Sequence, residues 1–124
     1  SERIVMTTDY LAKLRDDAGD VGRFVWDVSR FYEAFHLSSA GLGGIYVHDS
    51  SAVAYLLAPH LYVTRTGPVR VLTEGIAVGH TIQKLMTFPA PAPDWDGRPP
   101  CEVCVEADAA QILDLYARTL CGKV

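Results

Sequence analysis

The sequence lacks the features that would direct a chain into a membrane or onto nucleic acid. No apolar stretch approaches the roughly 20 residues that span a bilayer, and no charged-then-apolar signal pattern opens the chain. The 11 basic residues are scattered and the formal net charge is −4, which argues against an extended basic surface. We therefore expect neither a membrane nor a nucleic acid among the partners.

Cysteine is scarce as well. Cys101, Cys104 and Cys121 form an odd, small set that makes a poor disulfide framework and favours a reducing compartment, so we expect a cytoplasmic protein. Cys101 and Cys104 have the spacing of half a zinc knuckle or a redox pair, but no second pair completes a four-ligand zinc site. They lie on a predicted strand, whose alternation directs the two sulfurs to opposite faces. We expect buried or half-buried thiols.

The composition is that of an ordinary globular protein. Hydrophobic residues make up 49% of the chain and charged residues 21%, so disorder is not expected. A length of 124 residues is enough for one domain and hardly for two, which predicts a single domain segment over 1–124. Five of the seven prolines fall within 85–100, and this stretch is predicted to be an irregular excursion.

Two helices are predicted in the first third of the chain. Thr7 or Thr8 caps the first, which runs to about Ala18. Asp20 is predicted to cap the second, which extends from Val21 to about Leu37. Apolar side chains recur along one stripe of the second helix, and we expect this stripe to pack on the core. Its main members are Phe24, Val28, Phe31 and Phe35.

The most informative stretch is centred on His48 and Asp49. The apolar run Ile45–Val47 precedes this pair, and Ser50–Ser51 follow as N-cap candidates for an apolar helix that ends near Ala58. Ligands commonly bind where a strand of an α/β protein enters a helix. Asp49 also has a simpler interpretation, as a carboxylate that favours the positive end of a helix dipole.

The second half of the chain is predicted to hold short strands and one helix. Residues 60–64 and 69–74 are predicted strands around a turn at Thr66–Pro68, and 74–81 is predicted to continue as strand. A strand over Cys101–Val105 precedes a helix that Asp108 caps. About four helices and four to five short strands indicate an α/β fold.

The His48-Asp49 pair and the apolar helix after it resemble the nucleoside hydrolases, the inosine–uridine preferring N-ribohydrolases. The family usually has proline after the aspartate where this chain has Ser50, and both residue types suit a helix start. The stretch Val78–Thr81 is most similar to the plant-like branch. The family's Asp-rich loop near the N-terminus is missing here, so the resemblance implies a C-terminal portion, in which the strands join an open mixed sheet flanked by helices.

The resemblance also implies roles for individual residues. His48 corresponds to the family's acid beside the leaving base, and Asp49 to a carboxylate that ligates Ca²⁺. Tyr32 and His36, at positions i and i+4 of the second helix, correspond to groups that contact the nucleobase. Since Ca²⁺ takes roughly 6–8 oxygen ligands, most of its ligands are expected outside this segment.

The implied function is hydrolysis of the N-glycosidic bond of a ribonucleoside, with this chain supplying only part of the active site. The expected partners are the parent chain or a missing N-terminal segment, and a further copy in a homo-oligomer. We expect the isolated segment to be inactive. One alternative is a non-catalytic remnant or oligomerisation module. Another is a small hydrolase with a serine nucleophile, although no Gly-x-Ser-x-Gly elbow is present.

Overall fold

The computed structural model describes residues 4–85, 91 and 93–123. The chain divides into two compact units: the first joins the chain up to Tyr62 to the chain from Ala107 onward, and the second is Val63–Glu106. The cluster of buried apolar side chains belongs to the first unit. In the described part of the second unit, no valine, leucine or isoleucine is buried. The single domain segment over 1–124 stays a prediction.

Four α-helices and five strands occur among the described residues, in agreement with the predicted α/β class. The elements are, in chain order, β1 (Val5–Thr7), α1 (Thr8–Asp17), α2 (Gly19–Ala40), β2 (Gly44–Tyr46), α3 (Asp49–Leu57), β3 (Tyr62–Val71), β4 (Thr81–Gln83), β5 (Pro100–Ala107) and α4 (Ala109–Leu120). Short 3₁₀ turns cover Pro59–Leu61 and Pro93–Trp95. None of the helices in this part of the chain combines the length and apolarity of a bilayer crossing.

The core of the first unit surrounds a two-stranded antiparallel ribbon. Met6 of β1 faces Ile45 of β2, and the pairing continues where the Val47 amide donates to the Ile4 carbonyl over 3.0 Å. Side chains of β1, of residues next to the ends of β1 and β2, of α1 and α4 and of the turn after α3 bury together, namely Ile4, Met6, Leu11, Val47, Ala58, Leu61 and Ile112. The pairing with β1 therefore holds the backbone in place up to Val47, the residue before His48.

In two of the four helices, the residue that the sequence predicts as the N-cap is the one that caps the helix. Thr7 caps α1 by accepting a hydrogen bond from the Tyr10 amide, and Asp108 caps α4 by accepting from the Gln111 amide, as predicted. The predicted cap at Asp20 is wrong, because α2 begins at Gly19 and Asp20 lies inside its first turn. The serine caps of α3 are also wrong, since His48 holds the cap position.

The apolar stripe of α2 faces outward, which contradicts the predicted packing on the core. Phe24 is 65% exposed and Phe31 is 83% exposed. The buried positions of α2 are instead taken by Gly22, Ser29, Glu33 and His36, and this side packs on α1 and β2. The 3.6-residue period identifies a stripe but not the surface that covers it. In the described residues no such surface is present.

The second unit also departs from prediction. β3 runs unbroken from Tyr62 to Val71, so the predicted turn at Thr66–Pro68 is wrong. Gly67 serves close strand approach, because a Cβ there would lie 2.5 Å from the Lys84 carbonyl oxygen. Residues 74–79 form turns in place of the predicted strand, with positive φ at Gly75 and Gly79. The resulting three-stranded sheet has the order β4-β3-β5.

The predicted excursion over 85–100 is described only in part, since residues 86–90 and 92 lie outside the described residues. The remainder holds the 3₁₀ turn Pro93–Trp95, and Pro100 opens β5. Both Cys101 and Cys104 are exposed and only Cys121 is half-buried, so the prediction of buried or half-buried thiols is wrong for the first two. β5 lies in the unit that has little buried apolar surface to enclose them.

Candidate active site

His48 and Asp49 lie where the ribbon passes into α3. The register of the ribbon places Tyr46 opposite Val5, and Val47 buries its side chain in the core. His48 then takes the cap position of α3 and Asp49 becomes the first helical residue. Both side chains are exposed. The carboxylate of Asp49 therefore stands at the N-terminal end of a helix, where the dipole favours negative charge.

Gly44 allows the two strands of the ribbon to meet ahead of this junction. Its φ of 153° lies outside the range that side chains readily adopt. A Cβ at this position would lie only 2.4 Å from the Met6 carbonyl oxygen. Glycine is therefore required at the start of β2 for its close pairing with β1.

An open cavity of 510 Å³ brings three of the four predicted site residues together. Tyr32 reaches it from α2, and His48 and Asp49 reach it from the start of α3. Phe24 and Val28 of the outward-facing stripe and Tyr46 of β2 also line this cavity. Burial raises the pKa of Tyr116, a further lining residue, above its ordinary value of 10.0.

His36 is placed differently from the other three. It is only 6% exposed and is not among the described residues that line the cavity. Its ring centroid lies 4.1 Å from that of Tyr32 and 5.0 Å from that of Tyr46. His36 thus supports the aromatic wall from behind the surface. Direct contact of His36 with a nucleobase stays a prediction.

Tyr46 is the functional candidate that the sequence analysis missed. It lines the cavity and its ring centroid lies 5.9 Å from that of His48. The sequence carries only a weak signal for this role, namely the position of Tyr46 two residues before His48.

Polar contacts on the inner side of α2 hold the helix that carries Tyr32. The Arg30 guanidinium pairs with the Glu33 carboxylate at 2.5 Å and lies over the Trp26 ring, 3.4 Å from its centroid. The Glu33 carboxylate also accepts a hydrogen bond from the Thr8 hydroxyl at the start of α1. Of these contacts, the hydrogen bond from Thr8 joins α1 to α2, the helix that supplies one wall of the cavity.

The donor set limits what this site can do by itself. His48 can move a proton, because an imidazole can serve as a general acid or base. Asp49 can supply one hard oxygen ligand to a cation, whereas Ca²⁺ takes roughly 6–8 such ligands. Among the described residues, no group of three or more His, Cys, Asp or Glu side chains is placed to hold a metal ion. The carboxylate fits as one ligand and falls short of a complete metal site.

An imidazole and a carboxylate share a cavity wall at a strand-to-helix junction of this α/β segment, a kind of junction at which α/β proteins commonly bind ligands. A family model described as inosine-uridine preferring nucleoside hydrolase matches residues 1–114. The chain belongs to this family, as the sequence resemblance implied.

Curated relatives from plants support the resemblance to the plant-like branch. The chain is 33% identical over 113 residues to "Probable uridine nucleosidase 1" of Oryza sativa subsp. japonica, covering 90% of this chain and 35% of the relative. It is 32% identical over 114 residues to "Uridine nucleosidase 1" of Arabidopsis thaliana, covering 90% and 34%. The chain thus spans about a third of the length of these relatives.

Solved structures carry the same fold. The plant nucleoside hydrolase PpNRh1 enzyme matches with a TM-score of 0.87 at 28% identity, over 96% of this chain and 38% of that one. A purine-preferring ribonucleoside hydrolase from Gardnerella vaginalis matches with a TM-score of 0.77 at 26% identity, over 98% and 37%. The predicted fold class, a segment of the nucleoside hydrolase fold, is confirmed.

Proposed function

We propose that this chain contributes the leaving-group side of an active site that hydrolyses the N-glycosidic bond of ribonucleosides. The observation that carries the proposal is the shared cavity of His48, Asp49 and Tyr32 in a chain of the nucleoside hydrolase family. The family and the plant uridine nucleosidases support this chemistry. Inosine and uridine are the substrates to test, and a role in nucleoside salvage in the cytoplasm is part of the proposal.

His48 is proposed to protonate the departing base. Cleavage of an N-ribosidic bond develops positive charge on the ribose and negative charge on the base, by analogy with glycoside hydrolysis. A proton delivered to the base from the imidazole neutralises that negative charge as the bond breaks. Tyr32 lines the same cavity and offers an aromatic face on which a nucleobase can stack. His36 is proposed to assist by supporting this ring.

Asp49 is proposed to be one ligand of a Ca²⁺ ion, whose remaining ligands come from parts of the family fold outside this chain. Such an ion, when bound, orients and acidifies a water molecule. Asp49 itself keeps its carboxylate exposed at the cavity, next to His48. Asp49, through the ion, would then act at the ribose, and His48 would act at the base. Two neighbouring residues would thus serve both halves of the nucleoside.

The outward face of α2 supports the idea that further protein completes the site. Phe24 and Val28 belong to the exposed stripe and also line the cavity, so the apolar surface and the candidate site are continuous. Since the chain spans about a third of its relatives' length, we infer that the rest of the family fold covers this stripe. The same protein segment would then bring the missing metal ligands. A homo-oligomer is a further part of this proposal.

A non-catalytic interaction module is the second candidate function, and the same exposed stripe favours it. In that case the face of α2 would bind a catalytic homologue, and no cation would be bound at Asp49. The two candidates differ in metal affinity. A hydrolase segment gains Ca²⁺ binding when the remaining family fold is present, whereas a remnant does not.

The decisive experiment measures hydrolysis of inosine and uridine with Ca²⁺, for the whole gene product that contains this chain and for its variants. We expect His48→Gln to lower kcat by about 10²- to 10⁴-fold, the usual contribution of a positioned acid. Asp49→Asn is expected to weaken Ca²⁺ binding and activity together. His60→Gln is the matched control, because His60 is an exposed histidine of the same unit that does not line the cavity.

Two results would contradict the proposal. One is a His48→Gln variant that hydrolyses nucleosides as fast as the His60→Gln control. The other is near-native turnover by residues 1–124 alone, which would show that this chain already holds a complete site. Absence of Ca²⁺ binding by the whole gene product would favour the interaction module.

A further inference from the structure

The ring of Tyr46 is close to both histidines of the site region. Tyr46 is the last residue of β2, and His48 follows two residues later at the cap position of α3. The ring centroids of Tyr46 and His48 are 5.9 Å apart with an angle of 49° between the planes. Tyr46 also meets the His36 ring edge-on, at 5.0 Å and 66°. Both separations are within the range of favourable aromatic contacts.

His36 is the buried member of this group of rings. It is buried at 6% exposure, and its ring is also packed on Tyr32. The backbone under Tyr46 is fixed too, because Tyr46 pairs with Val5 in the ribbon. Since its backbone is paired and its ring packs on a buried histidine, Tyr46 is a rigid neighbour for His48.

The orientation of His48 decides whether it can act as an acid. A general acid acts efficiently only when its protonated nitrogen lies within hydrogen-bond reach of the acceptor, and functional side chains are held in place by packed supporting residues. The His48 side chain is exposed, and the Tyr46 ring, 5.9 Å from it between centroids, restricts the rotamers that the imidazole can adopt.

We propose that Tyr46 is a positioning residue for His48: its ring, braced by His36, holds the imidazole toward the cavity. The proposal rests on the proposed function of His48 as the proton donor. The ring performs this task through packing, so phenylalanine should replace Tyr46 and leucine should not. No residue pattern in the sequence assigned Tyr46 a role, and its assignment comes from the geometry of the rings.

The test compares Tyr46→Leu and Tyr46→Phe in the whole gene product that contains this chain. We expect Tyr46→Leu to lower kcat about 10-fold or more with KM little changed, because a misplacement of about 1 Å can cost 10²-fold in rate. Tyr46→Phe is expected to match the wild type. Tyr55→Leu is the matched control, since Tyr55 forms an edge-to-face pair with Tyr62 elsewhere in the same unit.

NMR supplies a readout of the His48 rotamer, which simple proximity of the two rings would not move. The Hα–Hβ couplings of His48 should change in Tyr46→Leu but match the wild type in Tyr46→Phe and Tyr55→Leu. Unchanged His48 couplings in Tyr46→Leu would overturn the proposal, as would an equal loss of kcat in Tyr46→Phe. If Tyr46→Leu does not fold, wild-type nuclear Overhauser contacts from Tyr46 to both imidazoles decide: their presence supports the proposal and their absence overturns it.

The two proposals can fail separately. A wild-type gene product without nucleosidase activity would remove the proposed function, while the His48 resonances would still report whether Tyr46 holds the imidazole. Conversely, an active enzyme in which the NMR signals of His48 are the same in Tyr46→Leu and the wild type would keep the proposed function. The positioning role of Tyr46 would then be eliminated.

Discussion

Arg30 and Glu33 form an ion pair on the inner side of α2, with 2.5 Å between Nη1 and Oε2. The Glu33 side chain is 11% exposed and that of Arg30 is 33% exposed, so the carboxylate is the more buried partner. Glu33 also accepts the hydrogen bond of the Thr8 hydroxyl. The Glu33 carboxylate therefore links Arg30, on its own helix, to Thr8 in the first turn of α1.

Glu33→Ala should destabilise the protein by about 2 kcal/mol, the typical effect of removing hydrogen bonds to a charged group. The Arg30 guanidinium would remain partly buried over Trp26 without its carboxylate partner, which adds to the cost. Urea unfolding followed by circular dichroism measures the change in the free energy of unfolding. Asp27→Ala is the control, since Asp27 is an exposed carboxylate on the same helix. An equal effect of both substitutions would contradict the structural role of Glu33.

The buried polar side of α2 also shows where sequence reasoning reaches its limit. Helical periodicity correctly predicted that Phe24, Val28, Phe31 and Phe35 share a stripe. It could not predict the exposure of that stripe, because burial depends on a surface that the described chain does not contain. On the polar side, Glu33 and Arg30 form an ion pair with one another. Amphipathic pattern alone does not reveal such a pairing.

Phe31→Ser should change the free energy of unfolding of the 124-residue chain by no more than about 0.5 kcal/mol, as for other surface substitutions. The reason is that Phe31 is 83% exposed. Ile112→Ala is the contrasting variant: at 3% exposure it should cost about 2–5 kcal/mol through loss of core packing. In the whole gene product, Phe31→Ser should be clearly destabilising if further protein covers the stripe. A large effect in the short chain would contradict the observed orientation of α2.

Gly44→Ala should destabilise the ribbon by about 1–3 kcal/mol, the usual cost of a strained backbone position. An alanine Cβ would lie 2.4 Å from the Met6 carbonyl oxygen, so the strands would have to separate. Gly43→Ala is a closely matched control, because a Cβ there has open space. Hydrogen exchange of the Val47 amide, which donates to the Ile4 carbonyl, should accelerate in Gly44→Ala alone. Equal exchange in both variants would contradict the requirement for glycine.

The sequence predicted which residues lie at the site better than it predicted the contacts between them. His48-Asp49 at a strand-to-helix junction follows from local pattern and is found there, although the helix begins earlier than the serines suggested. Tyr32 at the cavity follows from the family resemblance. The contact between His36 and Tyr46 joins a helix to a strand, and no local pattern in a single sequence specifies such a pairing. Tertiary contacts of this kind had to come from the structure.

The carboxylate of Asp108 should make stability depend on pH in the acid range. The Gln111 backbone amide donates to it over 3.1 Å and the Gln111 side chain over 2.7 Å, and these hydrogen bonds hold the pKa of Asp108 below its ordinary value of 3.8. Because the folded state favours the ionised form, the contribution is fully present above the unfolded pKa. It is lost as the pH falls through the lower folded pKa.

Asp108→Asn isolates this contribution, because asparagine also caps helices well but does not ionise. The free energy of unfolding is measured by urea denaturation at a series of pH values from neutrality to below 3.8. We expect the wild type to lose stability more steeply than Asp108→Asn at the acid end, and the two profiles to run parallel near neutrality. Parallel profiles over the whole series would show that the cap acts through its dipole alone and that ionisation of Asp108 adds nothing to α4.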